Sequence, residues 1–380
     1  MTGPLVYLVA GEPSGDALGA ELMRALVRET GGAVDFAGVG GPEMEEEGLT
    51  SIYPMSELSV MGLVEVVPGL ARVLRRLAQT ARHLRATRPG VLVTIDSQAF
   101  SRRLAERIHP APFPVVHYVG PTVWAWRPSR IRKVSSVVDR LLLLFPFEVS
   151  CWEDSGVDAV YVGHPLADGK NARSSCREGK GPCIVLLPGS RKGEIRRHLP
   201  VFREVAERLA RNIPDVTMVL PTVAHISKDV RHGTRSWSCP VRIVEGPSSE
   251  RLRVMAGADA AIAVSGTVAL ELAALGIPHV IAYKANPLTA AIVRRLVTVR
   301  YASLVNIMAD RDVTPEFIQE ECRADAIHDA LRRILDDPRE AETQKLHMAS
   351  VMQTLRHPDG PPSSVAARAV LELIAGHDSP

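Results

Sequence analysis

Residues 183–194 read CIVLLPGSRKGE. The apolar run Cys183–Leu187 predicts a buried strand, and the Pro-Gly-Ser turn after it leads into a helix that we expect to begin near Ile195. A strand, a tight turn and a helix N-terminus in this order favour an anion, because backbone N–H groups and the helix dipole both attract negative charge. Ser190 and Arg191 lie in this turn, and Arg191 would add a charge-assisted contact to a phosphate.

A second loop of the same kind, Ser265-Gly266-Thr267, follows the predicted strand Ala260–Val264. Two such loops in one half of the chain predict a nucleotide held by its diphosphate. Glu271 lies one helical turn after Thr267 and on the same face. Its carboxylate would accept both hydroxyls of a ribose, although a buried helix acid neutralised by Lys or Arg explains it equally simply.

Length and composition indicate a globular protein of two domains. At 380 residues the chain exceeds one typical core, and 46% apolar and 23% charged residues exclude disorder. The net charge of +2 gives no case for nucleic-acid binding. The five cysteines form no C-x-x-C pair, which argues against a zinc knuckle or a disulfide framework and favours a reducing compartment.

No segment predicts export or membrane spanning. The N-terminus lacks the basic and apolar regions of a signal peptide. The longest apolar run, Leu141–Phe147, is far shorter than the roughly 18 residues that a spanning helix needs. We therefore expect a cytoplasmic protein that is soluble or peripheral.

Short apolar strands alternate with helical patterns twice along the chain, which predicts two parallel sheets covered on both faces. We expect domains at 1–166 and 183–345, a polar linker at 167–182, and C-terminal helices at 346–380 that pack back toward the first domain. Ligands of such sheets bind at the carboxyl ends of the strands. The absence of a Walker motif and of a clean G-x-G-x-x-G disfavours a P-loop NTPase and an ordinary NAD enzyme. The expected strands are Leu5–Val9, Val34–Ala37, Val91–Ile95, Val115–Tyr118, Leu141–Phe145, Val160–Val162, Cys183–Leu187, Val216–Leu220, Val241–Val244, Ala260–Val264 and Val280–Tyr283.

The loop Ala10–Asp16 follows the first expected strand. Its glycines, one of them Gly15, allow close backbone approach, and Ser14 or Asp16 could cap the following helix. The simplest interpretation is a capped turn. Two acids, Glu12 and Asp16, exceed what capping needs, so we expect both to bind sugar hydroxyls.

Asp96 directly follows the apolar run Val91–Ile95. A carboxylate there is partly desolvated, which raises its pKa and suits a general base, whereas the alternative is a cap for the next helix. Trp124 and Trp126 follow the strand Val115–Tyr118. Their rings could stack on a sugar or an acyl chain, or simply pack a core.

The segment 60–88 is basic and apolar. No Asp or Glu occurs from Val66 to Ile95, although six arginines do. Met61, Leu63 and Val64 form an apolar patch just before it. A solvated helix face is the plain explanation, but the lack of acids favours an anionic partner such as a membrane surface or a phosphorylated lipid.

Together these segments resemble the lipid-A-disaccharide synthases, a family of inverting, metal-independent glycosyltransferases. The resemblance implies an α/β fold of two Rossmann-like doubly wound domains facing across a cleft, the B-type glycosyltransferase fold. It covers nearly the whole chain. It rests on Ala10–Asp16, Met61–Val66, Ile95–Ser97, His117–Arg127, Phe145–Glu148, Gly163–Pro165, Leu187–Arg191, Ser265–Thr267 with Glu271, and Ser303–Ile307.

The resemblance implies transfer from UDP-2,3-diacylglucosamine to 2,3-diacylglucosamine 1-phosphate (lipid X), which gives a β-1,6 disaccharide and UDP without a cofactor. It makes Asp96 the general base and places Glu12 and Asp16 on the acceptor side, where we expect them to be catalytic residues together with Asp96. It also implies a location at the inner face of the inner membrane, and a homodimer is possible. The remaining substrate-binding residues would be Ser14, Gly15, Trp124, Ser190, Arg191, Ser265, Gly266, Thr267, Glu271 and Asn306.

The chain departs from the family pattern at two places. The family usually reads Asp-Ala-Pro-Asp-Phe where this chain has Asp96-Ser97-Gln98-Ala99-Phe100, so the second acid is absent. Val305 also stands where the family tends to have Pro. Two other functions stay open: a UDP-sugar epimerase of the same architecture, and a nucleotide-sugar-binding or membrane-scaffolding protein without turnover.

Overall fold

The computed structural model describes residues 3–58, 66–126, 130–168, 180–246, 248–286 and 300–377. It divides into two compact units. The first comprises Met1–Pro165 and Leu355–Pro380, and the second comprises Leu166–Thr354. Met61, Leu63, Val64, Arg127 and most of the expected linker lie outside the described residues.

The first unit holds a six-stranded parallel sheet in the order β2-β1-β3-β4-β5-β6. Helices follow most of its strands, as the alternating pattern predicts. The strands are β1 Leu5–Ala10, β2 Asp35–Val39, β3 Val91–Ile95, β4 Val115–Tyr118, β5 Arg140–Leu143 and β6 Asp158–Tyr161. The helices are α1 Pro13–Glu29, α2 Pro42–Glu46, α3 Val66–Thr87, α4 Gln98–Ile108, α5 Val123–Trp126 and α6 Arg130–Ser135.

Both faces of this sheet are buried. Along β1, Val6 and Leu8 pack into one apolar cluster while Tyr7 and Val9 pack into another on the opposite face. Alternate residues of a strand point to opposite faces, so a strand covered on both sides must be apolar throughout. This explains why the first sheet could be predicted from near-continuous apolar runs.

The second unit holds another six-stranded parallel sheet, in the order β12-β11-β10-β7-β8-β9. This is the order of the dinucleotide-binding fold. Its strands are β7 Cys183–Leu187, β8 Thr217–Thr222, β9 Arg242–Glu245, β10 Ala260–Ala263, β11 His279–Tyr283 and β12 Glu316–Ile318. Its described helices are α7 Lys192–Asn212, α8 Ala224–Thr234, α9 Ser248–Met255, α10 Val268–Ala274, α11 Leu304–Ala309, α12 Ala324–Asp336 and α13 Pro338–Thr354.

The last helix, α14 Pro362–His377, returns to the first unit and packs on α1. The His164 N–H donates a hydrogen bond of 3.1 Å to the Leu355 carbonyl, where the chain re-enters that unit. The segment expected to pack back began at residue 346, which instead lies inside α13 of the second unit.

Two details of the fold differ from expectation. The strand β12 was not predicted, because its three residues are only partly buried and form no apolar run. Cys183 is disulfide-bonded, contrary to the expectation that the cysteines form no disulfide framework. Among the described cysteines, Cys151, Cys239 and Cys322 are free.

Candidate functional site

Each sheet has a switch point, where successive connections leave the sheet in opposite directions and ligands of such folds bind. In the first unit this point lies between β1 and β3. Ala10 pairs with Ile95 there, so the loops that follow the two strands start side by side. A Cβ atom on Gly11 would lie 2.6 Å from the Ser97 Oγ atom. The two loops therefore touch, and a side chain at position 11 would require the Ser97 side chain to move.

Asp96 lies at this switch point in an unusual backbone conformation. Asp96 and Ser97 have φ angles of +50° and +44°, in the left-handed region that residues other than glycine rarely adopt. The Asp96 N–H donates to the Tyr118 carbonyl at 2.9 Å, and the Asp96 carbonyl accepts from the Ser101 hydroxyl at 2.8 Å. The backbone on both sides of the carboxyl group is thus held.

The Asp96 carboxyl has the properties expected of a base. Burial raises its pKa above the ordinary value of 3.8, opposed by a hydrogen bond from the Ser97 backbone. Ser97 occupies the N-cap position of α4, although its side chain makes no cap hydrogen bond, so Asp96 lies one residue before the position of a helix cap. A partly buried carboxylate at a strand end suits proton abstraction near neutral pH.

The structure corrects the catalytic interpretation of Asp16. Its side chain is buried, with 3% of its surface exposed. Its oxygens accept hydrogen bonds from the backbone N–H groups of Gly41, Glu43 and Met44 at 2.8, 3.0 and 3.1 Å. These are donors at the N-terminus of α2 that helix geometry leaves unpaired. Asp16 therefore fixes α2 against α1 and does not face a substrate.

The other residues of the first loop separate into exposed and packed ones. Helix α1 begins at Pro13 with Glu12 as its N-cap residue, so capping by Ser14 or Asp16 was a wrong expectation. Glu12 and Ser14 are exposed. Gly15 is buried, and a Cβ atom there would lie 3.4 Å from the Ile95 carbonyl oxygen. Gly15 thus packs against the end of β3 at a distance that would also accept a Cβ atom.

Trp124 belongs to an aromatic group that continues into the loop after β5. Its ring meets Phe147 edge-on, with centroids 5.2 Å apart, and Phe147 stacks on Phe145. The Trp124 Nε1–H donates to Glu148 Oε1 at 3.1 Å. Burial raises the pKa of Glu148 to about 7. No role was predicted for Glu148, although a lone acid after an apolar run was a visible signal.

The switch point of the second unit lies between β7 and β10, where Ala263 pairs with Leu187. It brings together the loops Pro188–Arg191 and Ser265–Thr267, as the sequence predicts. Helix α7 begins at Lys192, earlier than expected.

The backbone N–H groups of the first of these loops are not vacant. Glu194 Oε2 accepts from the N–H groups of Ser190 and Arg191 at 3.0 and 3.3 Å. The Glu194 carboxylate thus lies where the sequence predicted a phosphate. This corrects the expectation that the N–H groups of the turn are free.

Arg191 is the exposed cation of this loop, with 82% of its side chain accessible. Its guanidinium lies 3.2 Å from the Glu194 carboxylate. Ion pairs at such exposed positions contribute little free energy. The ion pair with Glu194 therefore holds the Arg191 side chain only weakly.

The loop Ser265–Thr267 is anchored at one end and open at the other. The Ser265 hydroxyl donates to the Ala302 carbonyl at 2.7 Å. Gly266 has a φ of +139°, which favours glycine, and Thr267 is exposed. Glu271 lies in the first turn of α10, and its N–H donates to the Thr267 carbonyl at 3.1 Å. This is the one-turn spacing that the sequence predicts.

The structure also corrects the donor-side interpretation of Asn306, which is fully buried. Its amide nitrogen donates to the Thr314 carbonyl and to Glu316 Oε1, each at 2.8 Å. Its amide oxygen accepts from the Val313 and Thr314 N–H groups at 2.9 and 2.8 Å. Asn306 therefore organises the loop between α11 and β12.

His198 on α7 links two loops of the second unit and was not predicted. Its Nε2 atom accepts from the Lys284 N–H at 2.8 Å, so its Nδ1–H donates to the Pro188 carbonyl at 3.2 Å. Burial lowers its pKa to about 4, which keeps the ring neutral. Its place ten residues after the turn gave no local signal.

The comparisons with known proteins agree with this arrangement. The family model described as Lipid-A-disaccharide synthetase matches residues 6–370. The chain belongs to the lipid-A-disaccharide synthase family. A lipid-A-disaccharide synthase from Rhodospirillum centenum is 42% identical over 380 residues, covering 97% of this chain and 94% of that protein.

Solved structures show the same fold at low identity. A glycotransferase of kitacinnamycin has a TM-score of 0.64 at 17% identity and covers 98% of this chain and 99% of its own. A UDP-GlcNAc 2-epimerase from Neisseria meningitidis bound to UDP-GlcNAc has a TM-score of 0.62 at 10% identity, covering 99% and 100%. The fold alone does not separate transferases from epimerases, whereas the sequence places this chain in the synthase family.

Proposed function

We propose that this chain transfers a diacylglucosamine from UDP-2,3-diacylglucosamine to the 6-hydroxyl of lipid X. The products are the β-1,6-linked lipid A disaccharide 1-phosphate and UDP. Membership of the lipid-A-disaccharide synthase family supports this reaction. The observation that carries the mechanism is the partly buried Asp96 carboxyl at the carboxyl end of β3, with its raised pKa.

Asp96 would take the proton of the acceptor hydroxyl while that oxygen attacks the anomeric carbon of the donor. The new C–O bond forms as the bond to the UDP oxygen breaks, and the electron pair leaves with UDP. Attack from the face opposite to UDP inverts the anomeric centre. Glu12, Ser14 and Trp124 would contact the acceptor.

The second unit would hold the donor. Arg191 and the loops Pro188–Arg191 and Ser265–Thr267 would stabilise the charge that grows on the departing diphosphate. Glu271 would accept the ribose hydroxyls. Because the Arg191 guanidinium, and the loop N–H groups once Glu194 releases them, would supply the positive charge, we expect no metal requirement.

A basic face of α3 would bring the enzyme to the inner face of the inner membrane. Arg72, Arg75 and Arg82 are exposed, and Leu74 beside them is 47% exposed. Arg76 does not belong to this face, because it forms an ion pair with Glu57 and lies over the Tyr53 ring. Among the described residues, no helix is long and apolar enough to cross a membrane.

The reaction is tested by incubating the purified chain with UDP-2,3-diacylglucosamine, with and without lipid X. UDP release that needs both substrates supports the transferase. A product isomeric with the donor would instead indicate an epimerase, and no product a binding protein. Activity should survive EDTA, and loss of activity that magnesium restores would contradict metal independence. A homodimer stays a prediction, which light scattering on the same sample tests.

A further inference from the structure

A series of buried and partly buried hydrogen bonds runs beside Asp96 from β3 to the end of β4. The Thr94 hydroxyl lies 2.8 Å from His117 Nδ1, and His117 Nε2 lies 3.0 Å from Gln98 Oε1. The Gln98 amide nitrogen donates to the Val119 carbonyl at 2.8 Å. None of these contacts involves a group assigned to substrate binding.

The contacts determine the direction of each hydrogen bond. Because the Gln98 NH₂ group donates to a carbonyl, its oxygen must accept from His117 Nε2–H. In the neutral ring the His117 Nδ1 atom is then an acceptor for the Thr94 hydroxyl, which also lies 3.3 Å from the Val116 carbonyl. Burial lowers the pKa of His117 to about 4, so the ring is neutral with this single N–H near pH 7.

This series of hydrogen bonds ends at a residue with a strained backbone. Val119 has a φ of +75°, which is a genuine outlier for a β-branched side chain. Such conformations persist only where the surroundings hold them. Val119 is held by its N–H, which donates to the Leu142 carbonyl at 3.0 Å, and by Gln98 on its carbonyl.

The cluster does not form a ligand site of its own. The cavity beside it, lined by Thr94, Gln98 and His117 among others, has a volume of about 10 Å³. That is room for one water molecule at most. The polar groups of the cluster therefore serve the neighbouring backbone.

We infer that Gln98 is a positioning residue that ties the turn carrying Asp96 to the strained end of β4 at Val119. Gln98 lies two residues after Asp96, and the Asp96 N–H is bonded to Tyr118, the residue before Val119. The hydrogen bonds from Gln98 to Val119 and from Asp96 to Tyr118 hold the left-handed turn from both sides. The inference rests on the proposed role of Asp96 as the base.

The test is a double-mutant cycle on Gln98 and Val119. Gln98→Met keeps the length of the side chain and removes both hydrogen bonds. We expect it to lower kcat about tenfold to a hundredfold, because small misplacements of a catalytic group have effects of this size. The UDP dissociation constant should stay within about twofold of the parent value, since the donor loops lie in the other unit.

The second arm of the cycle uses glycine at the strained position. Glycine adopts positive φ freely, so in the Val119→Gly background the change Gln98→Met should lower kcat by less than about threefold. An equal loss in both backgrounds would overturn the inference, as would a Gln98→Met enzyme with the kcat of the parent. Gln79→Met, on α3, is the matched control and should leave kcat unchanged.

Two further variants keep the test decisive. Gln98→Glu preserves an acceptor for His117 but sets a carboxylate oxygen against the Val119 carbonyl and adds a negative charge, so it should lower kcat at least as much if Gln98→Met does not fold. Asp96→Asn is assayed in parallel. An active Asp96→Asn enzyme would refute the base assignment itself, whereas an inactive one beside a fully active Gln98→Met enzyme would refute only the inference on Gln98.

Discussion

The turn after β3 and the turn after β7 both follow a fully buried strand at a switch point, yet they are built differently. Around Asp96 the backbone is strained, and the Asp96 N–H and carbonyl are both hydrogen-bonded. Around Arg191 the loop N–H groups are covered by Glu194 and the cation is mostly exposed. The proposed base is thus held in place before a substrate arrives, whereas the proposed donor site would have to release Glu194 to bind its ligand.

The largest expected effect is at Asp96. Asp96→Asn should lower kcat by about a hundredfold to ten-thousandfold, because loss of a general base has effects of this size. In the parent enzyme kcat/KM should fall as the pH falls through the raised pKa of Asp96, since only the ionised carboxylate accepts the proton. Steady-state rates across pH measure both.

Asp35→Asn is the matched control, because Asp35 lies at the opposite, amino-terminal end of the same sheet. It should retain parental kcat. An Asp96→Asn enzyme that keeps more than about a tenth of the parental rate would transfer the base role to Glu12.

The next effect is at Arg191. Arg191→Ala should weaken UDP binding about tenfold to a hundredfold, since a charge-assisted phosphate contact is worth roughly 1.5–3 kcal/mol. It should also slow the chemical step, because charge builds on the leaving group. Calorimetric titration with UDP measures the first effect. Arg211→Ala, at the other end of α7, is the control, and equal affinities of the two variants would place Arg191 outside the donor site.

A smaller effect is expected at His198, which joins the two loops of the second unit. His198→Phe leaves the Pro188 carbonyl and the Lys284 N–H without their partner, which should lower the free energy of unfolding by about 1–3 kcal/mol. UDP affinity should fall severalfold. The pH dependence of kcat/KM that Asp96 causes should not change. A shift in it would show that the two regions do not act independently.

The same histidine predicts a pH dependence of stability. Its folded pKa of about 4 lies below the ordinary histidine value of 6.5, so the unfolded chain binds more protons between these values. Stability should therefore fall as pH is lowered from about 6.5 to 4. Urea titrations at several pH values should show a weaker dependence for His198→Phe, and an unchanged dependence would contradict the assignment.

The smallest effect on chemistry concerns the basic face of α3. Changing Arg72, Arg75 and Arg82 together to Ser should weaken co-sedimentation with anionic vesicles, since each arginine near such a surface contributes roughly 1 kcal/mol. Activity in detergent should stay unchanged. The control changes Arg332, Arg333 and Arg339 to Ser, which alters the net charge equally. Equal vesicle binding by both triple variants would make the α3 face an ordinary solvated surface.

Much of the fold could be predicted because buried parallel strands are apolar throughout. Val91–Ile95, Val115–Tyr118 and Cys183–Leu187 were predicted with their observed bounds. The strand β12 was not predicted, because its three residues are only partly buried and form no apolar run. The places of the loops at the strand ends followed from the parallel topology.

The hydrogen-bond partners of the polar side chains could not be predicted in the same way. The donors that bind Asp16 come from residues 25 to 28 positions later, so the sequence near Asp16 showed only an acid in a turn. Asn306 lies in one of the motifs that carry the resemblance, but its amide group is hydrogen-bonded within its own loop. The role of Glu194 was easier to predict, because an acid at the third position of a helix is a known capping signal.

The central claim is that the first unit supplies the base and the second holds UDP, so the two activities can be separated. Asp96→Asn tests it in one sample that is titrated with UDP by calorimetry and then mixed with both substrates for a single turnover. The account predicts the parental UDP dissociation constant and no disaccharide within many parental turnover times. Disaccharide formed at the parental rate, or UDP affinity lost together with turnover, would contradict it.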